Sequence, residues 1–244
     1  MRSADRRPAA ATRWCGETAP GPPMTVDLLT VSWGRRQSGP APPALSGLGL
    51  IESLAVPPQV LEFGRTLRRA YDAVLAGPNT VLLDNPALTS HAAPGQPCVR
   101  VTLDPAGKIP RHYRFLDGSA RTVIGISRST PAAYLGLLAD RGIETVSGGD
   151  ARVDLRQFLA ALGRRGLRSL LVEGGGRLNW ALLDGGLVRR VHLLIGPQAQ
   201  QGGAVRAAES APFGGLRLVD RVDLGGYSLL RYEISGPTGG ADSG

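Results

Sequence analysis

The sequence predicts an α/β fold with a mostly parallel central sheet, flanked by helices on both faces, and antiparallel strands at the C-terminal end. Two observations predict it. Short apolar runs alternate with amphipathic ones along most of the chain, as strands do when helices join and cover them. The last run, RLVDRVDLGGYSLLRYEI, reads instead as two strands folded on each other about a Gly-Gly pair.

The elements follow in order. Residues 1–23 combine charge with Pro, Ala and Gly, lack the apolar core of a signal peptide, and read as a disordered tail. Met24 is a candidate true start. Residues 24–235 read as one domain and 236–244 as a second disordered tail. VDLLTVS, Val26 to Ser32, reads as a strand, and the Pro- and Gly-rich stretch Ser38 to Gly49 as a loop. Val60 to Ala70 reads as a helix with Leu61 and Leu67 on one side and Arg65, Arg68 and Arg69 elsewhere. DAVLAG is a buried strand, and Asn79 or Thr80 is a candidate cap for a short helix that Pro86 stops. CVRVTLD and RTVIGIS are strands. A helix over Pro131 to Arg141 would take Thr130 as its cap and Pro131 at its first position. Leu155 to Arg164 is a helix, LRSLLVEG a strand, Arg177 to Leu183 a helix and VHLLIGP a strand.

Bulk properties exclude several classes. A hydrophobic fraction of 42% supplies a core, but there is no run of about 18 apolar residues to span a membrane. The formal charge of +8 invites a nucleic-acid partner. The basic residues are nevertheless dispersed, Lys108 is the only lysine, and aromatic residues reach only 5%, so a stacking platform for single strands is not indicated. Cys15 and Cys98 make no disulfide framework, and no C-x-x-C pair or histidine cluster points to a metal. With no signal peptide, the expected location is the cytoplasm. His91, His112 and His192 lie far apart, and His192, inside VHLLI, reads as structural.

Two glycine turns carry the chemistry. In SLLVEGGGRLNWALLDGG, Gly174, Gly175 and Gly176 stand between a strand and a helix. Ligands of parallel sheets bind beyond the carboxyl ends of strands. There, bare peptide N–H groups and the helix amino end can hold a phosphate, with Arg177 and Asn179 as further donors. A turn that merely packs a helix close to its strand fits equally well. The stretch is neither G-x-G-x-x-G nor a P-loop. In DAVLAGPNTVLLDNPALTS, Gly77 has the same setting, so the two turns are suited to opposite ends of a dinucleotide.

These two stretches, with VRVTLDPAGKIPRHYRFLDGSARTVIGIS and DRVDLGGYSLLRYEI, resemble the reductase domain of bacterial riboflavin biosynthesis, from roughly Met24 to Ile234. That family has a dihydrofolate-reductase-like fold and reduces 5-amino-6-(5-phosphoribosylamino)uracil with NADPH. The resemblance implies that Thr80 and Asp84 contact the nicotinamide cofactor. Ser127 matches a further cofactor position, and Arg128 beside it is a candidate partner for a 2′-phosphate. Gly175, Gly176, Arg177, Leu178 and Asn179 match the pyrophosphate turn. Arg68, Leu88 and Glu173 match substrate positions, and a carboxylate such as Glu173 can accept two N–H bonds from an aminopyrimidine. The family also implies a homodimer, with Leu224, Leu229 and Leu230 as candidate contacts.

The departures fall on the substrate side. Where the family has a segment like S-x-D-G-K, this chain has VSWGRRQS, with Trp33 replacing the acid. Where the family commonly places an arginine for the substrate phosphate, LTSH leaves His91, a weaker anchor than a guanidinium. The leading expectation is therefore an NADPH-dependent reductase acting on a different small heterocycle or imine in a specialised pathway. Trp33 would line its pocket, and Glu173, His91 or water would supply the proton. A second reading keeps the riboflavin reaction, with Arg35, Arg36 or Arg68 holding the phosphate. A third is nucleotide binding without turnover.

Overall fold

The computed structural model describes residues 24–32, 45–46, 57–88, 98–197 and 215–234. Both expected tails, Trp33, Arg35, Arg36 and His91 lie outside them.

Ten described strands form one sheet. β1 (Thr25–Ser32) pairs near its end with the two-residue β2 (Leu45–Ser46), which interrupts the expected Ser38–Gly49 loop. α1 (Pro58–Arg69) leads to β3 (Ala73–Ala76), and α2 (Pro78–Asp84) to β4 (Val99–Leu103). β5 (Thr122–Ile126), α3 (Ala132–Asp140) and β6 (Glu144–Ser147) follow. Then come α4 (Leu155–Arg164), β7 (Ser169–Glu173), α5 (Gly176–Asp184) and β8 (Arg190–Ile195). The hairpin β9 (Leu216–Asp223) and β10 (Ser228–Ile234) closes the described chain.

The strand order is β6-β5-β4-β3-β7-β1-β8-β10-β9. Every pair from β6 to β8 is parallel, and β10 pairs antiparallel with β8 and β9, as expected. β3, β4 and β5 are buried at every residue because helices cover both faces. One face packs Val60 of α1, Val81 of α2 and Leu138 of α3 against Leu29, Val74 and Leu171. The other packs Phe158 and Leu162 of α4 and Leu182 of α5 against Leu28, Leu75 and Val172.

Several local expectations are corrected. α2 begins at Pro78 with Gly77 as its N-cap, so Asn79 and Thr80 lie inside the helix and cap nothing; proline fits a first turn because its missing N–H is not needed there. Thr130 does not cap α3. Its hydroxyl donates to the Pro105 carbonyl (2.8 Å) and accepts from the Ser127 amide (3.0 Å), tying down the end of β5 instead. Arg68 is not on an outer face of α1: Val60, Gly64 and Arg68, four apart, form its buried stripe. Leu229 and Leu230 are fully buried on opposite faces of β10, so their own chain takes up the apolar surface expected to meet a partner. β6 went unread because ETVS is short and half polar. None of the described helices is long and apolar enough to cross a membrane.

Candidate functional site

β3 and β7 are neighbours, and Ala76 stands opposite Glu173 in register. Beyond those two residues the chain diverges. From β3 it turns into α2 on one face, and from β7 into α5 on the other. Such a divergence opens a crevice at the carboxyl edge of a parallel sheet.

The two glycine turns meet in this crevice. A methyl group on Gly77 would lie 3.1 Å from the Gly175 amide nitrogen and 3.7 Å from the Gly174 Cα. Gly77 thus lets two backbones approach where a side chain would part them. The three glycines of β7's turn divide the readings between them. At Gly174 a methyl group would sit 2.7 Å from Asn179 Oδ1 and 3.1 Å from Leu178 Cδ2, so this glycine serves packing. At Gly176, the first residue of α5, it would meet nothing within 4 Å. At Gly175 its nearest neighbour would be Thr80 Oγ1, at 4.0 Å. The amino end of α5 therefore presents bare peptide to open space, with the Thr80 hydroxyl above it.

Asn179 adds a second sign. It is 2% exposed, and neither end of its side-chain amide has a hydrogen-bond partner among the described residues. An unpaired buried amide costs about 1–3 kcal/mol, so a ligand with both donors and acceptors is stabilising here. Arg177 projects to the surface beside it.

Glu173, at the end of β7, is bound by Arg68 of α1 through two parallel bonds, Nε to Oε1 at 2.6 Å and Nη2 to Oε2 at 2.8 Å. Both side chains are buried. The pair was not legible in the sequence, although the four-residue spacing of Val60, Gly64 and Arg68 was the available signal. Burial, with the Glu173 charge next, pushes the nearby Cys98 thiol up to about 12, which keeps it protonated and inert. The Thr102 hydroxyl donates to the Ala76 carbonyl at 3.0 Å and steadies the start of the Gly77 turn.

The remaining candidates lie further out. Asp84 closes α2, about 9 Å along the helix from Pro78, and burial raises the pKa of its carboxyl. Leu88 is buried in the α1-side core, with φ of 45°. Ser127 follows β5, three strands from β7, hence about 14 Å across the same edge. Its hydroxyl bonds Ser129 at 3.0 Å. Arg128 is exposed and pairs with Asp150 at 3.4 Å, an ion pair that water screens and that an incoming anion can displace. The structure thus brings Gly77, Thr80, Arg68, Glu173 and the Gly174–Asn179 turn together, with Ser127 and Arg128 further along the same edge and Asp84 at the far end of α2.

Sheet order, covering helices and crevice define a dihydrofolate-reductase-like α/β domain. The RibD C-terminal domain model matches residues 52–222, and the chain belongs to that family. It is 39% identical over 180 residues to the 2,5-diamino-6-ribosylamino-4(3H)-pyrimidinone 5′-phosphate reductase of Methanothermobacter thermautotrophicus, covering 70% of this chain and 83% of that protein. The Aquifex aeolicus protein of the same name is 33% identical over 129 residues, covering 52% of this chain and 58% of its own. Acinetobacter baumannii RibD superposes with a TM-score of 0.64 at 20% identity, covering 87% of this chain and 58% of that one, so this chain spans under two thirds of its length.

Proposed function

We propose that the protein is an NADPH-dependent reductase of a ribosylaminopyrimidine 5′-phosphate, which takes the second of the readings drawn from the sequence, the riboflavin reaction, and widens its substrate to the class its relatives' names give. The names of its relatives favour that substrate class over an unrelated heterocycle. The observation that carries the reading is the abutment of Gly77 on Gly175, with open space over Gly176.

The site suits a dinucleotide in three respects: a glycine cradle, the amino end of α5, and the unpaired Asn179 amide. A nicotinamide held by these residues would supply the hydride for an electrophilic carbon. The chain's own residues do the rest. The amides of Gly175 and Gly176 hold the diphosphate. The Thr80 hydroxyl faces that turn, and Arg128 at the far end of the edge takes a 2′-phosphate. Each Glu173 oxygen gives one acceptor site to Arg68 and keeps another, which accepts an N–H of the pyrimidine. Locked as an acceptor, Glu173 orients the ring rather than donating the proton, a task left to His91 or water.

The test is turnover, followed at the nicotinamide absorbance, of 2,5-diamino-6-ribosylamino-4(3H)-pyrimidinone 5′-phosphate and of 5-amino-6-(5-phosphoribosylamino)uracil, with NADPH and NADH in parallel. Oxidation of NADPH by either substrate is expected. Tight NADPH binding with neither substrate turned over would return the reading to a specialised substrate.

A further inference from the structure

Arg100 is the second residue of β4, near its amino end, and is fully buried in a sheet of apolar strands. A buried guanidinium is tolerated only when its donors are satisfied, and here they are. Nε donates to Thr122 Oγ1 at 3.0 Å. Nη1 donates to the carbonyls of Arg114 (2.9 Å) and Ala87 (3.3 Å) and to Ser119 Oγ (3.4 Å). Nη2 donates to Asp117 Oδ1 and the Ala120 carbonyl, each at 3.2 Å. The Phe115 ring lies 5.6 Å away.

Two of these partners lead to the far end of α2, whose near end starts at the Gly77 turn. Ala87 lies in the segment that follows α2. Arg114 donates its amide to Asn85 Oδ1 at 2.8 Å, and the adjacent Tyr113 hydroxyl donates to the Leu82 carbonyl at 3.0 Å. The segment so held is unusual. Asn85 has φ of 42° and Leu88 φ of 45°, the only described non-glycine residues in the left-handed region. Such conformations persist when surrounding bonds over-determine them.

We infer that Arg100 is a positioning residue: through Ala87 and Arg114 it fixes Asn85–Leu88, and with that segment the pose of α2 over the glycine crevice. It touches neither turn. The inference rests on the proposed function, because α2 carries Thr80 and Asp84. Lysine would keep the charge but could not span partners on three sides of a planar guanidinium.

The experiment compares wild type with Arg100→Lys, Asn85→Gly, Tyr113→Phe and the Arg100→Lys/Asn85→Gly double variant. It measures NADPH affinity by fluorescence, kinetics with the ribosylaminopyrimidine phosphate, and melting temperature. Glycine adopts the backbone of Asn85 without strain, so Asn85→Gly removes the tie through Arg114, leaves the Arg100–Ala87 bond and spares the fold. A misplaced reacting pair loses rate steeply, and kcat/KM is expected to fall about tenfold or more in Arg100→Lys and Asn85→Gly. NADPH affinity should fall as well in both variants, since α2 carries Thr80 and Asp84, while the turn on α5, which Arg100 does not brace, retains part of it. The double variant should lose no more than Arg100→Lys alone.

Wild-type kinetics in both Asn85→Gly and Tyr113→Phe, or losses that multiply in the double variant, would overturn the inference. If Arg100→Lys fails to fold, a fall in kcat/KM at unchanged melting temperature in Asn85→Gly or Tyr113→Phe supports it. Wild-type protein without NADPH affinity overturns the proposed function and this inference together; active wild type with unaffected variants overturns only this one.

Discussion

Three consecutive glycines do different work, and substitution separates them. Gly174→Ala places a methyl group 2.7 Å from Asn179 Oδ1, and its cost is expected in melting temperature, about 1–3 kcal/mol as in other overpacked sites. Gly176→Ala meets no neighbour and adds a better helix former to the first turn of α5. Its stability should hold or rise by up to about 1 kcal/mol, while NADPH affinity falls as the methyl group enters the proposed diphosphate space. Calorimetry and fluorescence titration on the same pair of variants check both. At this scale the sequence exposed the glycines but not their division of labour. That division depends on Asn179, whose side chain points back under the turn, and periodicity does not report where a side chain of the first turn goes. Arg68 and Arg100 were hidden for a related reason. A charged residue in an apolar pattern reads as exposed until its partners, here Glu173 from 105 residues away, are in view.

At the scale of elements, long apolar runs were the legible part. α4 runs over the predicted residues, capped by Asp154, whose carboxylate accepts from the Gln157 amide at 3.0 Å. The strands from β3 to β5 were readable because continuous burial demands continuous apolar sequence. β2 and β6 were not, because a short strand is defined by the neighbour it pairs with rather than by its own composition. The contact between α4 and the sheet has a narrow tolerance. A methyl group on Gly125 of β5 would come within 2.6 Å of Leu103 Cδ2 and 2.9 Å of Phe158 Cε2. Gly125→Ala is therefore expected to push α4 outward and destabilise the fold by about 1–3 kcal/mol, read as a lower denaturation midpoint.

At the scale of the molecule, the opposite end of the sheet carries its pH response. His192 of β8 is 7% exposed, and neither ring nitrogen has a partner among the described residues. Burial, outweighing the attraction of Asp27, lowers its pKa from 6.5 to about 4. The folded protein thus holds this imidazole neutral where the unfolded chain would protonate it. Stability is fully present above pH 6.5 and is lost as pH falls towards about 4, with a span of roughly 3 kcal/mol. Melting temperatures from pH 7 to 4 should fall accordingly, and His192→Gln should flatten that part of the profile; an unchanged slope would assign the loss to other groups. Asp27, beside it, accepts from the Tyr71 hydroxyl at 2.5 Å, and burial drives that phenol's pKa upward.

The central position of β7 has a consequence for synthesis. It slots between β1 and β3, strands made more than 90 residues earlier. Until Ser169–Glu173 leaves the ribosome, those two strands have no common neighbour, and each offers an unsatisfied border to any other chain. A nascent polypeptide halted at residue 165 should therefore clump rather than persist as a smaller folded unit, and release of about thirty more residues, through β8, should be the moment at which the proposed coenzyme can be retained.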